Sequence, residues 1–439
     1  MALRFGTDGV RAEALTQLTS DFVRTLGAAA ALVSGASEIV VGRDTRESGP
    51  ELQRAFAEGA WSHGVTIRDL GVVPTPAVAW VCADSGLPGA MISASHNPWQ
   101  DNGVKLFSAG GTKLLDADQE IIQAKLDVST SLDAVPAGGA PPHIIEGSID
   151  GYVDAVVASV EGRSFAGKTV VLDSANGSAS TTAKLIFERL GATVVSLADQ
   201  PDGRNINDGV GSTHPDLLKS AVVEHGADAG FAFDGDADRI AAVGADGELI
   251  DGDRIIAMSA LDRRDRGMLA HDTVVITVMA NLGFRLSMEA QGIAMVETAV
   301  GDRYVLEALD AGGFSLGGEQ SGHVIYRDLA TTGDGVLTAV QLFDATLRRG
   351  IDMGEWAASV MTRFPQVLKN VRMAEKIPDL SDRLNSAIVA EQAILGSTGR
   401  ILIRESGTEP VVRVMVEAAD ADVAEASTSR LVEAVQRLT

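Results

Sequence analysis

Three aspartates occupy alternate positions in FDGDADR, residues 233–239: Asp234, Asp236 and Asp238. Alternate residues on extended backbone project to one side, so three carboxylates converge on one spot and repel one another unless a positive charge lies there. The apolar runs AGFAF before them and IAAVG after them read as two strands, which makes the acidic stretch a tight loop at a sheet edge. A calcium loop of the EF-hand type, counted from Asp234, needs glycine at its sixth position and glutamate at its twelfth; Arg239 and Ala245 stand there, which excludes it. A D-x-D aspartyl-phosphate phosphatase is a second reading, but it leaves the next loop without a role.

That loop is MISASHNPWQDNGVKLF, residues 91–107. A strand ends at MISA, and Ser95, His96, Asn97 and Pro98 follow in a turn, with small neighbours that leave the serine hydroxyl accessible. A serine is a weak nucleophile without a base or an electrophilic partner. Lys105 returns toward it if the WQDNG segment folds back. Taken alone, Ser95 and His96 read as a capping serine beside a turn. Two further loops carry polar groups. SLGGEQSGHVIY, residues 315–326, presents Glu319, Ser321 and His323 at alternate positions, a pattern that suits sugar hydroxyls. RESGTEPVVRVMVE, residues 404–417, offers Arg404, Ser406, Gly407 and Thr408, with Arg413 on the returning strand. Hydroxyls, backbone N–H groups and a guanidinium fork together make a phosphate cradle.

The elements that must position these loops alternate along most of the chain. TSDFVRTLGAAAALVSG (19–35) reads as a helix with a polar N-cap and a terminal glycine. EIVVG, VTIRDLG, GAMISA, KTVVLD, ATVVSL, DTVVITV and GIAMVET read as buried strands between amphipathic helices. Repeated strand–helix units predict α/β layers with largely parallel sheets. The last 70 or so residues change character, with two strands around a glycine-containing loop and a closing helix, an α+β module. A Pro/Gly/Ala-rich stretch at 131–150, a Gly/Asp turn at 245–254 and RFPQVLKNV at 363–371 suggest four domains: 1–147, 148–249, 250–365 and 366–439. The DGDR at 251–254 is expected to be a turn at such a boundary, not a second metal site.

The chain has 439 residues, 45% apolar, with 36 basic against 60 acidic side chains and a net charge of −24. Such a surface repels nucleic acid and anionic lipid, so neither is an expected partner. No apolar run reaches the length of a membrane span. The start lacks the apolar core of a secretory signal, and the single cysteine, Cys82, forms no internal disulfide and sits among apolar neighbours; a cytoplasmic location is expected.

The four loops in this order, with FGTDGVR at 5–11, GSTHPDLL at 211–218, VGDRYVLEAL at 300–309 and TTGDGVLTA at 331–339, resemble the α-D-phosphohexomutase family over essentially the whole chain. The resemblance implies the four-domain architecture of that family, three α/β domains with mixed sheets and a C-terminal α+β domain around a central cleft. It implies that Asp234, Asp236 and Asp238 bind Mg²⁺, with a phosphate oxygen on Ser95 as a further ligand; hard carboxylate oxygens suit that ion. Ser95 then carries a phosphoryl group and passes it to the 6- or 1-position of a phosphosugar, through a glucosamine or glucose 1,6-bisphosphate that turns over in the cleft. Arg11 and Arg239 are expected near the transferring phosphate, with Lys105 as general acid/base and His96 in support. Glu319, Ser321, His323 and Arg303 are expected to bind the sugar, although an ordinary salt bridge also accounts for Arg303. Arg404, Ser406, Gly407, Thr408 and Arg413 are expected to hold the distal phosphate.

Within the family, GEQSG and VGDRYV point to the aminosugar members, which interconvert glucosamine 6-phosphate and glucosamine 1-phosphate for UDP-N-acetylglucosamine and cell-wall precursors. A glucose- or mannose-specific member and a non-catalytic sugar-phosphate-binding protein are the alternatives, and a homodimer is compatible with the resemblance. The sequence departs from the family pattern at Ser174 and Val210, where relatives often place cysteine; both are expected to lie away from the four loops.

Overall fold

The computed structural model describes all residues except 1–2, 7–8, 115, 129–141, 374–378, 406–410 and 439. The chain forms two compact units, one of Met1–Val278 with Ala294–Ala358, the other of Met279–Ile293 with Ser359–Thr439.

The larger unit holds three sheets. The first has the order Val10–Glu13, Asp101–Phe107, Gly89–Ile92, Glu38–Arg43, Thr66–Val72, Ile144–Glu146. The second runs Leu249–Ile250, Ile240–Gly244, Ala229–Phe233, Thr169–Asp173, Thr193–Leu197, and the third Ala294–Thr298, Thr273–Thr277, Leu316–Gly318, Val324–Tyr326. The helix expected at 19–35 spans Ser20–Ser34, with the Thr19 hydroxyl accepting the Phe22 N–H and Gly35 closing it in the left-handed region.

The sheets are mixed, and the expectation of largely parallel pairing is corrected in an informative place. Glu38–Arg43 runs parallel to both of its neighbours, as does Thr169–Asp173. Three of the antiparallel pairs are Gly89–Ile92 with Asp101–Phe107, Ala229–Phe233 with Ile240–Gly244, and Leu316–Gly318 with Val324–Tyr326. Each is a hairpin whose turn is one of the polar loops singled out above. A short loop tethered at both ends by paired strands holds its side chains more firmly than a long crossover connection.

Aromatic residues make up 4% of the chain, and four phenylalanines gather at one place in the core. Phe165, Phe187, Phe231 and Phe343 pack as a cluster with ring centroids 5.1 to 6.5 Å apart. Phe343 comes from the helix Gly335–Arg349, which is buried all round through Thr346 and packs on the second and third sheets. The first sheet has its own core, centred on Leu26, Val41, Phe56 and Ile92. Cys82 is buried, and burial pushes its thiol up to about 12, which makes it an inert packing residue. Among the described residues, no helix is long and apolar enough to cross a membrane.

The smaller unit is a three-stranded antiparallel sheet, Gln366–Arg372, Val411–Ala418, Gly399–Glu405, with the helices Leu380–Leu395 and Ala421–Gln436. The helix Leu282–Ala290 joins it: Asn281 Nδ2 donates to Glu417 Oε1 at 3.1 Å, and the Leu282 N–H donates to Glu417 Oε2 at 3.0 Å.

Candidate active site

The acidic loop closes the hairpin between Phe233 and Ile240, and Ala237 within it takes a positive φ of 59°. Its three carboxylates are buried, and one oxygen of each lies within 4.8 Å of the others. Gly235 is required by a close approach: a Cβ there would stand 2.6 Å from the Ser95 carbonyl oxygen and 2.9 Å from Asn207 Nδ2. The serine loop and the acidic loop therefore touch main chain to main chain. Ser95 Oγ donates to Asp234 Oδ2 at 2.6 Å and lies 3.3 Å from His96 Nδ1.

Lys105 does return. It pairs in register with Met91 across the hairpin, and its Nζ lies 2.8 Å from Asp236 Oδ2 and 3.0 Å from Asp238 Oδ2. Thr75, which the sequence did not single out, donates its hydroxyl to Asp236 Oδ2 and its N–H to the Asp236 carbonyl at 2.9 Å. Even so, Asp236 Oδ1 and Asp238 Oδ1 are buried without a hydrogen bond. Two unsatisfied carboxylate oxygens beside a third acid are costly, and an oxygen-ligated divalent cation answers that need. The residues fit such an ion.

The field around the triplet is uneven. Burial, with Asp238 and Asp236 nearby, pushes the Asp234 carboxyl up to about 7. Asp238 is held well below the usual range: burial opposes ionisation, but Lys105, His323 and Arg239 outweigh it. His96 is depressed to about 4 by burial and by the Arg239 and Arg11 cations, so its ring is neutral at physiological pH. Arg11 itself sits on the strand Val10–Glu13, opposite Gly103. Arg239 donates its backbone N–H to Asp234 Oδ1 at 3.2 Å, and its buried Nε lies 3.9 Å from Asp238 Oδ1 without a hydrogen bond.

The third hairpin reaches the same place. The Ile240 N–H donates to the Gly322 carbonyl at 3.1 Å, and a Cβ on Gly322, whose φ is +88°, would meet the Ile240 oxygen at 2.0 Å. His323 Nδ1 lies 3.8 Å from Asp238 Oδ1, while its Nε2 accepts the Gly333 N–H at 3.2 Å, which leaves the ring proton on Nδ1. Burial works against protonation of His323, but Asp238, Asp302 and Glu319 hold its pKa above the ordinary value. Glu319 Oε1 accepts the Gly301 N–H at 3.0 Å, and Ser321 stands exposed at the loop tip. Arg303 Nε is paired with Glu307 Oε1 at 2.8 Å, an i,i+4 helix pair.

In the smaller unit, Arg404 and Arg413 face each other across the strands Gly399–Glu405 and Val411–Ala418. Burial, reinforced by the Arg413 charge, lowers the Arg404 pKa. Like charges directly opposite are unfavourable in a sheet, and an anion between them reverses the sign. Ser406, Gly407 and Thr408 lie outside the described residues.

Two expectations are corrected. Asp251 of DGDR is the N-cap of the helix Gly252–Asp265 and accepts the Arg254 N–H at 3.1 Å, so the segment starts a helix and is no free turn. The segments containing Ser174 and Val210 do not lie away from the acidic loop. The Ser178 N–H donates to the Gly235 carbonyl at 2.9 Å, and the Ser212 N–H to the Phe233 carbonyl at 2.8 Å. Their sequences are small-residue turns, whose role becomes visible only when the loop they buttress is placed.

With serine and three buried acids at hairpin turns and a lysine on the returning strand beside them, the comparisons with known proteins agree on the class. Residues 2–132, 150–247 and 251–364 match the α/β/α domains I, II and III of phosphoglucomutase/phosphomannomutase, and residues 368–434 match its C-terminal domain. The chain belongs to the phosphoglucomutase/phosphomannomutase family. A curated relative from Rhodococcus opacus, a phosphoglucosamine mutase, is 48% identical over 435 residues, 97% of each chain. The fold also matches a family protein from Burkholderia thailandensis with a TM-score of 0.81 at 24% identity, covering 98% of this chain and 97% of that one. A more distant match is the Aspergillus fumigatus N-acetylphosphoglucosamine mutase in complex with GlcNAc-6P and magnesium, TM-score 0.68 at 20% identity, covering 100% of this chain and 96% of that one.

Proposed function

We propose that this enzyme interconverts glucosamine 6-phosphate and glucosamine 1-phosphate, an intramolecular phosphoryl transfer of the isomerase class, with Ser95 as the phosphoryl carrier. The observation that carries the reading is the contact of Ser95 Oγ with Asp234 Oδ2 at 2.6 Å, inside a buried triplet with two unsatisfied oxygens. Asp234, Asp236 and Asp238 would hold Mg²⁺, the ion named in the Aspergillus complex, together with a phosphate oxygen on Ser95. When bound, Mg²⁺ there draws charge from the transferring phosphoryl group.

The chain's own residues do the rest. Arg11 and Arg239 face the phosphoryl oxygens, and Lys105, fixed by two carboxylates, handles the proton at the departing or attacking oxygen. His96, neutral beside Ser95, keeps the nucleophile's surroundings free of a further positive charge. Glu319, Ser321 and His323 bind sugar hydroxyls. Arg404, Arg413 and the 406–408 loop hold the phosphate that is not reacting, while Arg303, paired with Glu307, assists in sugar selection. The bisphosphorylated sugar, glucosamine or glucose 1,6-bisphosphate, is both intermediate and activator, because a dephosphorylated Ser95 must be recharged. The four domains fall at 1–147, 148–249, 250–365 and 366–439. Supply of an aminosugar phosphate for cell-wall precursors places the enzyme in the cytoplasm.

Substrate choice is tested by kcat/KM for glucosamine 1-phosphate and glucose 1-phosphate with Mg²⁺ and a trace of sugar bisphosphate. A preference for glucosamine 1-phosphate is expected; a preference for the glucose compound rejects the assignment in favour of a phosphoglucomutase.

A further inference from the structure

Ser95 adopts a left-handed backbone with φ 54°. For a residue with a Cβ this conformation is unfavourable and persists where the surroundings over-determine it. Both of its backbone polar groups are tied into one buried ring. The Ser95 N–H donates to Ser93 Oγ at 2.9 Å, and Ser93 Oγ donates to Asp44 Oδ2 at 2.6 Å. Asp44 Oδ2 is paired with Arg46 Nη1, and Arg46 Nη2 returns to the Ser95 carbonyl at 3.1 Å and to the Asn97 carbonyl at 2.6 Å. A second donor arrives from a distant segment: Asn207 Nδ2 reaches the same two carbonyls at 3.0 and 3.1 Å. Arg46 is only 1% exposed and Asn207 8%.

A buried arginine–aspartate pair is an expensive way to make a turn, since neutral groups satisfy two carbonyls at lower desolvation cost. What the pair adds is direction. A planar guanidinium joined to a carboxylate has a fixed orientation, and it sets the peptide planes on either side of the Ser95 side chain. Asn207 holds the Ser95 and Asn97 carbonyls from the segment that abuts Gly235 of the acidic loop. The orientation of Ser95 Oγ is thereby referred to the position of the carboxylates.

We propose that Arg46 and Asn207 are positioning residues for the transfer step, jointly holding the Ser95–Asn97 main chain so that the phosphoryl group on Ser95 lies beside the acidic triplet, open to in-line attack by the sugar oxygen. Neither touches the phosphoryl group; both act through the Ser95 and Asn97 carbonyls. The inference rests on the reading of Ser95 as the phosphoryl carrier.

The test compares the phosphorylated wild-type enzyme with Asn207→Asp, which keeps the size of the side chain but removes its donor, and with Arg46→Lys, which keeps the charge but loses the fork. Displacement of a reacting group by about an ångström costs on the order of 10²-fold. Each folded variant is expected to show kcat lower by about that factor with KM changed by less than about threefold. The ³¹P resonance of the phosphoserine should shift. The double variant should lose less than the product of the two single losses, because both donors serve the same carbonyls. Thermal unfolding confirms that each variant is folded; if Arg46→Lys is not, Asn207→Asp decides alone. Phosphoserine in both proteins with an unshifted ³¹P resonance and unchanged kcat in folded Asn207→Asp overturns the inference while leaving the role of Ser95 intact. Turnover by a wild-type enzyme that never carries phosphate on Ser95 overturns both.

Discussion

Lys105 Nζ stands 2.8 Å from Asp236 Oδ2, on the strand that runs antiparallel to the one leading into Ser95. One hairpin thus delivers Ser95 at its turn and the counter-charge from its returning strand. Removing the ammonium leaves buried carboxylates uncompensated, a loss of about 3–5 kcal/mol for a broken buried pair. Lys105→Met is therefore expected to lower the thermal midpoint sharply in EDTA, and Mg²⁺ should recover part of the loss by binding the native state alone. Activity should fall by about 10²–10⁴-fold. A variant midpoint that Mg²⁺ does not move would argue that the ion does not occupy the triplet.

Asp234 titrates near 7 in the metal-free protein because burial, Asp238 and Asp236 disfavour its charge. A cation must displace that proton to bind. Below pH 7 the apparent Mg²⁺ affinity should fall by about tenfold per pH unit, and above it the affinity should level off. Calorimetric titration between pH 6 and 8 checks this; a flat profile contradicts the protonated acid.

Asp334 caps the helix Gly335–Arg349, accepting the Leu337 N–H at 2.9 Å, and takes the Tyr152 hydroxyl at 3.1 Å. Burial raises its carboxyl from 3.8 to about 6. The folded state then holds a proton that the unfolded state releases, so the stability associated with Asp334 is present below pH 3.8 and is lost as the pH rises through about 6. The difference is on the order of 3 kcal/mol. Asp334→Asn keeps an acceptor for the helix N–H and should flatten the dependence of unfolding free energy on pH across that window. An unchanged slope in urea titrations assigns it to other groups.

On the proposed function, Arg404 and Arg413 trade stability for binding. Arg404→Ala removes a cross-strand repulsion worth a few tenths of a kcal/mol to about 1 kcal/mol, so the ligand-free midpoint should hold steady or rise slightly. KM for the sugar phosphate should climb by at least about tenfold, since a charge-assisted contact to phosphate is lost. A lower midpoint with unaltered KM would make Arg404 a structural residue.

Legibility followed the range of the interactions. AGFAF and IAAVG were readable as the two strands around the acids because period and turn chemistry are local, and they are the strands Ala229–Phe233 and Ile240–Gly244. The direction of pairing was not, since parallel and antiparallel neighbours leave similar apolar runs when both faces are buried. Ser95, Lys105 and the aspartates stood out by residue type. Thr75, Arg46 and Asn207 did not, because they act through hydrogen bonds to residues remote in sequence: Thr75 and Asp236 are 161 positions apart, and Asn207 and Ser95 are 112 apart. The arginine and aspartate of GRDTR on an otherwise apolar strand end were the one available hint, since buried charges are seldom idle.

The central claim is that Ser95 carries the phosphoryl group between sugar ends. The direct measurement isolates the Ser95 peptide after the enzyme meets a sugar 1,6-bisphosphate, and again after glucosamine 6-phosphate is added, with Ser95→Ala beside it. Phosphate is expected on Ser95 at the first point and on the sugar at the second, and the Ser95→Ala protein should be folded with no turnover. Sustained turnover by Ser95→Ala, or by wild-type enzyme whose Ser95 stays unmodified throughout, would contradict it.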